Sequence, residues 1–448
     1  MLYRKFSEYL EKWFNNKNKK ALYVDGARQI GKTTLIREFA RTHYVEPIVE
    51  INFITKPSAK DIFKGDLNAQ DLIDKISLFA NRNLVPHKTL IFFDEVQECN
   101  EVRTAIKFLV EDGRFDYIES GSLLGVTYAD IKSYAVGYEE IKTMYPLDFE
   151  EFVIANGIPQ TILDKLEDCY KNKKAVDEFI HKKMLKLFSY HIIIGGMPEV
   201  VQEYVNNKNV YNIINNQKAI LELYKLDISK YDKTNKGKIQ TIFNAIPVEL
   251  DNKNKRFVLT DLRKTARMER YERGFNWLID AGVAHACYNI SAVKQPIAIN
   301  EQRNLFKLYL NDSGLLCAMC SKDIQYQIIN DNLEINSGSI LENVVATNLK
   351  SNGFDLYYYD KIKVGEVDFI LEQNSELIPF EVKSGKDYKV HKALNNLLNV
   401  KEFNLKNSIV LCKGNVEVDD KVTYLPLYML MFIRKDTRLD EVNFEPIF

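Results

Sequence analysis

Up to about residue 145, apolar and polar positions alternate between two regimes. Short solid apolar runs, ALYVD (21–25), IVEINF (48–53), TLIFFDE (89–95) and DYIES (116–120), are separated by longer stretches in which apolar residues recur every three or four positions. Solid runs of this length fit strands buried on both faces of a mostly parallel sheet, and the stretches between them fit its covering helices. A helix is also predicted at residues 3–15, where Tyr3, Phe6, Tyr9, Leu10 and Trp13 share a face and the polar run NNKNKK stops the pattern. From about 145 to 290 the pattern is mainly helical. From 338 to 412 it becomes helix, then three β-rich runs, then helix and strand. No repeat of fixed period runs through the chain. The predicted class is α/β, with breaks near 145, 235 and 335.

Composition changes this picture little. The 448 residues exceed the roughly 250–300 that a single core organises, so two or three domains are expected. With 46% hydrophobic and 27% charged residues, the chain has an ordinary globular balance. Its 61 Lys and Arg against 62 Asp and Glu leave a net charge of −1, which excludes nucleic-acid binding through overall positive charge and confines any such site to a local patch. Six scattered cysteines do not make a disulfide framework. Cys317 and Cys320 form one C-x-x-C without a second ligand pair, and both are expected as packed core thiols at the start of a small-residue helix. No stretch reaches the ~18–20 apolar residues of a membrane span, and the N-terminus has no apolar signal core. A cytoplasmic location is the default expectation, with no membrane partner.

The sharpest signal is Gly26-Ala27-Arg28-Gln29-Ile30-Gly31-Lys32-Thr33, which fits G-x-x-x-x-G-K-[ST] between a predicted strand and a predicted helix. Gly26 and Gly31 let the backbone turn its N–H groups toward a phosphate chain, and the helix N-terminus adds a favourable dipole. Lys32 is expected to reach the β- and γ-phosphates, the Thr33 hydroxyl to ligate Mg²⁺, and Thr34 to lie near the α-phosphate. About sixty residues later, TLIFFDE delivers Asp94 to the C-terminal edge of a buried strand, where ligands bind in open α/β sheets. Asp94 is expected to hold Mg²⁺, and Glu95 to orient or deprotonate the attacking water. The next run ends in Ser120 and Ser122, read either as contacts to the γ-phosphate or as a Ser/Gly turn.

GARQIGKTTLIREFA, LIFFDEVQ, YIESGSLLG, YPLDFEEF and GGMP (195–198) together resemble the AAA+-superfamily ATPases that carry a C-terminal domain of unknown function. The resemblance covers nearly the whole chain and implies an ATP-binding, Mg²⁺-dependent NTPase. Gly26 to Thr34 would be the Walker A site, Asp94 and Glu95 the Walker B site, and Ser120 or Ser122 the sensor. One departure stands out: the family often has Val-Gly-Arg before the YPL segment, and this chain has Ala135-Val136-Gly137-Tyr138. An arginine finger supplies about 10³–10⁵ in rate, so its loss points to slow turnover unless Arg28 or Arg103 substitutes.

Residues 251–275 hold eight Lys/Arg and four Asp/Glu, a local net of +4. The following WLIDAGVAHACYNI resembles the last helix and wing of a winged helix-turn-helix. The basic stretch is read either as a DNA-backbone contact surface or as a solvated helix face with internal ion pairs. In the C-terminal stretch, Glu342 opens a helix, Asp368 lies in a predicted strand VGEVDFILE, and Glu381-Val382-Lys383 follows thirteen residues on in the next. Residues two apart in a strand share a face, so Glu381 and Lys383 point the same way. Carboxylates so grouped can hold Mg²⁺ or Mn²⁺. The order resembles the PD-(D/E)XK nucleases of the RecB and Holliday-junction resolvase branch, which implies Glu342, Asp368 and Glu381 as metal ligands and Lys383 as a catalytic group. An inactive nuclease-fold domain keeping these residues as an ion-pair network is the alternative.

The domains expected are a P-loop AAA+-like domain (1–145), a helical lid (146–235), a winged-helix-like region (236–335) and a PD-(D/E)XK-like α/β domain (336–448). The function expected is ATP hydrolysis, with DNA binding or processing coupled to it. The alternatives are a Mg²⁺/Mn²⁺-dependent DNA nuclease gated by the ATPase, and a slow nucleotide-gated switch with an inactive nuclease-fold domain. An oligomer is compatible with all three.

Overall fold

The four solid apolar runs form the strands β1 (Ala21–Asp25), β2 (Val49–Asn52), β3 (Leu90–Asp94) and β4 (Asp116–Ser120). The structure, a computed structural model, describes residues 2–121, 137–231, 236–252, 256–257, 268–320 and 338–435. The chain divides into two compact units. The first comprises Met1–Tyr145, Asp227–Lys236 and Asn276–Val283, and the second Pro146–Leu226, Gly237–Phe275 and Ala284–Phe448.

In the first unit a fifth strand, β5 (Glu139–Thr143), completes a sheet of order β2-β3-β4-β1-β5 in which every neighbouring pair is parallel. Strands β1 and β3 are buried along their whole length, as solid apolar runs require. The polar sequence EEIKT of β5 gave no such signal. It lies at the sheet edge, paired only with β1 and partly exposed, so it needs no apolar faces. Helices α1 (Phe6–Phe14), α2 (Lys32–His43), α3 (Ala69–Ala80) and α4 (Asn100–Asp112) accompany the sheet. Tyr23, Ile51, Phe93 and Tyr117 from the strands, with Ile76, Ile106 and Leu109 from α3 and α4, form one continuous core. Full burial of an Ile or Phe contributes about 1.5–3 kcal/mol.

The second unit begins with helices α5 (Phe149–Ala155), α6 (Gln160–Lys171), α7 (Glu178–Ile194) and α8 (Pro198–Asn207). Helices α9 (Val210–Tyr231), α10 (Lys236–Asp251) and α11 (Met268–Asp280) follow in the chain. Asp148 caps α5 in a reciprocal capping box with Glu151, which explains the DFEE part of YPLDFEEF. The GGMP motif is structural too. Gly196 donates its N–H to the buried Asp312 carboxylate at 2.5 Å and accepts the Leu147 N–H at 2.7 Å, while Pro198 opens α8. Burial raises the Asp312 carboxyl to about 6, although backbone N–H groups of Gly196 and Leu315 stabilise its charge.

Two sheets complete this unit. The antiparallel hairpin of β6 (Ala284–Ile290) and β7 (Glu301–Leu310) is extended by β8 (Tyr357–Lys361) and β9 (Gly365–Val367), in the order β7-β6-β8-β9. The second sheet contains β10 (Phe369–Gln373), β11 (Glu376–Val382), β12 (Ser408–Cys412), β13 (Glu417–Asp419) and β14 (Val422–Pro426), in the order β10-β11-β12-β14-β13. Helices α12 (Ser313–Cys320), α13 (Gly338–Ser351) and α14 (Lys392–Leu398) connect and cover the strands.

Two expectations are corrected here. VGEVDFILE is not one strand: it breaks at Asp368, with β9 in one sheet and β10 in the other. The break has a local cause, since the Asp368 carboxylate accepts the Val382 N–H at 2.8 Å instead of continuing the ladder. Cys317 is buried as expected, but Cys320, at the end of α12, is exposed. Among the described residues, no helix is long and apolar enough to cross a membrane.

Candidate functional site

Strand register builds the first site. Asn52 pairs with Asp94 and Asp94 with Ser120, so three polar side chains form a row at the ends of β2, β3 and β4. All three converge on one carboxylate. Asn52 Nδ2 donates to Asp94 Oδ2 at 2.8 Å, and the Ser120 hydroxyl donates to Asp94 Oδ1. The loop after β1 brings the Thr33 hydroxyl to the same group, 3.2 Å from Oδ2 and 3.4 Å from Oδ1. This loop demands glycine at both ends. Gly26 has φ +137° with the Met144 carbonyl 2.3 Å from where a Cβ would stand, and Gly31 caps α2 at φ +89°.

Within the loop, Lys32 folds back and donates to the carbonyls of Gly26 at 2.7 Å and Ala27 at 2.8 Å. Burial pulls its ammonium down to about 8, against the attraction of Glu95, Asp25 and Asp94. Glu95 takes the left-handed conformation at φ +58°, and Gln97 Nε2 donates to its carboxylate. Thr33 and Asp94 present oxygens to each other at short range, a donor set that suits Mg²⁺. The residues present fit that ion. Ile30 is buried beneath the loop, and Gln29 turns through φ +66°. Thr34 is the third residue of α2.

The two arginines considered as finger substitutes have other partners. Arg103 is buried, with Nη2 2.6 Å from Glu139 and Nε 3.5 Å from Glu119, and its guanidinium lies 4.4 Å from the centre of the Tyr23 ring. It is a core ion pair. Arg28 Nη1 lies 2.8 Å from Asp227 Oδ1, and burial raises the Asp227 carboxyl although Arg28 lowers it. Tyr138 donates its hydroxyl to Glu111. Ser122, Ala135 and Val136 lie outside the described residues.

The C-terminal carboxylates are brought together only in part. Glu381 Oε1 lies 2.7 Å from Lys383 Nζ, so the predicted common face is present. Pairing of Phe369 with Phe380 in the β10–β11 hairpin sets Asp368 beside that strand end. Glu342, buried in α13, accepts the Tyr309 hydroxyl at 3.2 Å and faces the ammonium of Lys307 at 3.5 Å. Lys307 is fully buried on β7 and also lies 2.7 Å from Glu366. Burial disfavours its charge, but the surrounding Tyr309, Glu342, Glu366 and Asp368 groups overcome this and raise it well above the usual lysine range. Among the described residues, no group of three or more Asp, Glu, His or Cys is disposed to hold a metal ion. Of the basic stretch 251–275, Lys253, Lys255, Arg263, Lys264 and Arg267 lie outside the described residues, as does the side chain of Arg270. Arg256 is paired with Asp360.

Residues 18–153 match the family model described as an AAA domain. The match supports an AAA-type ATPase. Such domains bind nucleotide with Mg²⁺, in keeping with the Thr33–Asp94 arrangement. Residues 185–326 and 337–430 match two domains of unknown function, DUF8612 and DUF4143. Over 442 residues, 94% of this chain and 86% of the relative, the sequence is 23% identical to the uncharacterized protein MJ1637 of Methanocaldococcus jannaschii. The sequence reading missed Asn52 and Gln97 in the AAA-type domain, and Asp227 on α9. Gln97 stands within LIFFDEVQ, two residues from the acid it holds, and was open to inspection. Asn52 and Asp227 carry no local signal, because their partners are distant in sequence.

Proposed function

We propose that this chain binds ATP and hydrolyses it with Mg²⁺, and that the cycle is coupled to binding or processing DNA. The observation that carries the reading is the convergence of Thr33, Asn52 and Ser120 on the Asp94 carboxylate beside the Lys32 loop. Thr33 and Asp94 would hold Mg²⁺, which would supply positive charge for the phosphates. Backbone N–H groups from Gly26 to Thr33 cradle the phosphate chain, with Arg28 and Thr34 at its borders. Lys32 leaves the carbonyls of Gly26 and Ala27 for the β- and γ-phosphates. Glu95, steadied by Gln97, orients the attacking water and accepts its proton. Ser120 fixes the Asp94 carboxylate, and through it reports the γ-phosphate. Residues 146–235 act as the lid, 236–335 as the winged-helix-like region that meets DNA, and 336–448 as the nuclease-like domain.

A specific observation favours slow turnover, as in a nucleotide-gated switch. Arg103 is committed to Glu119 and Glu139, and Arg28 to Asp227, so neither stands ready as a finger. Binding of a fluorescent ATP analogue and steady-state phosphate release test both readings. Lys32→Ala abolishes binding. Glu95→Gln keeps binding and slows release by at least ~100-fold, the usual worth of a general base. Binding untouched by Lys32→Ala, or release untouched by Glu95→Gln, rejects the ATPase reading. A specific rate that climbs steeply with protein concentration rejects the slow switch, because a neighbour then completes the site. Stimulation of release by DNA checks the coupling.

A further inference from the structure

We propose that Lys307 is the resident cation of the C-terminal carboxylate set, standing where a divalent metal would have to bind, so that this domain does not cleave phosphodiesters. This goes beyond the ATPase reading and stands independently of it. The set carries the residue types of a metal-dependent nuclease, but its geometry is that of an internal salt bridge. Lys307 comes from β7, thirty-five residues before Glu342, and its side chain is completely buried. Its ammonium lies 2.7 Å from Glu366 Oε1, 3.5 Å from Glu342 Oε2 and 4.9 Å from the centre of the Tyr358 ring. Tyr309, two residues on and on the same strand face, donates its hydroxyl to Glu342 at 3.2 Å.

Each remaining member of the set is also engaged. Asp368 accepts the Val382 N–H at 2.8 Å, and Glu381 Oε1 holds Lys383 at 2.7 Å. Glu381 Oε2 is the one oxygen of that carboxylate buried without a hydrogen-bond partner, and it remains the point where a metal would first attach. A buried ammonium beside Glu342 repels a second cation there. Low-dielectric surroundings strengthen that repulsion as much as they strengthen the attraction to Glu366. Without Glu342, Asp368 and Glu381 are the carboxylates left to a metal, which would have to take its other ligands from water and phosphate beside the Lys307 ammonium.

Manganese binding decides the matter without relying on enzymatic turnover. The full chain carrying Asp94→Ala, which removes the carboxylate of the nucleotide site, is titrated with Mn²⁺ and free ion is followed by electron paramagnetic resonance. The expected result is weak binding that Glu381→Gln leaves unchanged. Lys307→Met, which keeps the volume and removes the charge, is expected to tighten Mn²⁺ at least tenfold, and adding Asp368→Asn to abolish the gain. A Mn²⁺ site in the Lys307-containing chain that Glu381→Gln removes overturns the proposal. So does a folded Lys307→Met protein whose Mn²⁺ affinity is unchanged. If Lys307→Met does not fold, the comparison of the Lys307-containing chain with Glu381→Gln carries the decision. Mn²⁺-dependent cleavage of branched or linear DNA, lost in Asp368→Ala, also overturns it.

Discussion

Lys32 holds its proton less tightly than a lysine in water because the loop takes it out of solvent and offers it backbone carbonyls. With Lys32 on the phosphates as proposed, its value near 8 would rise on binding, so nucleotide binding above about pH 8 is expected to take up a proton. The sign follows: ATP affinity is fullest below pH 8 and falls as pH rises past it, by up to tenfold per unit. Calorimetry in buffers of different ionisation heat measures the proton uptake directly, and Lys32→Arg, if it binds, flattens the profile because its charge does not titrate there. A profile flat from pH 7 to 9.5 in the Lys32 protein rejects this account. At this scale the sequence was informative wherever the chemistry is local. Gly26 to Thr33 and Asp94 were legible because a loop, a strand end and a helix start dictate them. Asn52 was not, since its carboxylate partner is 42 residues away and only strand register makes them neighbours. Lys307 was not legible either, being one lysine of many until the β6–β7 hairpin and α13 bury it against Glu342.

Strands were the most legible elements in the first unit. Each solid apolar run forms a strand, and the central strands β1 and β3 are buried throughout because a central strand of a parallel sheet has no solvent face, while β2 at the edge buries only alternate residues. The edge strand β5 escaped notice for the complementary reason. In the second unit the strand expected through Asp368 is two strands, because a side chain that accepts a backbone N–H ends the ladder there. The segment joining α7 to α8 yields a prediction at this level. A Cβ on Gly196 would stand 1.9 Å from the Leu147 carbonyl oxygen and 2.7 Å from its nitrogen, both backbone atoms that cannot yield cheaply. Gly196→Ala is expected to destabilise the protein by at least ~2 kcal/mol in denaturant titration, within the range for overpacking at a tight backbone contact. Gly237→Ala is the control: it lies in α10 with nothing within 4 Å of its Cβ position, and is expected to be neutral or to stabilise by up to about 1 kcal/mol. Equal effects at the two glycines reject the argument.

Over the whole molecule, buried neutral histidines couple stability to acid. His191 packs against Phe149 and Phe152, and burial pulls it down to about 4; burial likewise pulls His285 down to about 3. Both values lie below the ordinary 6.5, so the unfolded chain binds more protons and stability falls as pH drops through the window from 6.5 to 4. The His191 share is about 3 kcal/mol. His191→Phe is expected to remove part of that slope in urea titrations at pH 7, 5.5 and 4.5, and an unchanged slope rejects the assignment. At this scale, too, the net charge of −1 excludes only a global electrostatic attraction, since charge is a sum and binding is local. What the sequence determined by itself is the arrangement that lives on contiguous residues: the glycine-bounded loop between a strand and a helix, the acid at the end of an apolar strand, and the α/β alternation around them. These follow from backbone geometry and solvent exclusion over a few residues. Only the tertiary structure decided which polar groups share a space. It set Asn52 and Ser120 on Asp94, closed Arg28 onto Asp227, locked Arg103 between two glutamates, and put an ammonium among the C-terminal carboxylates. Register, burial and the distance between charges are properties of the folded arrangement, and no local pattern carries them.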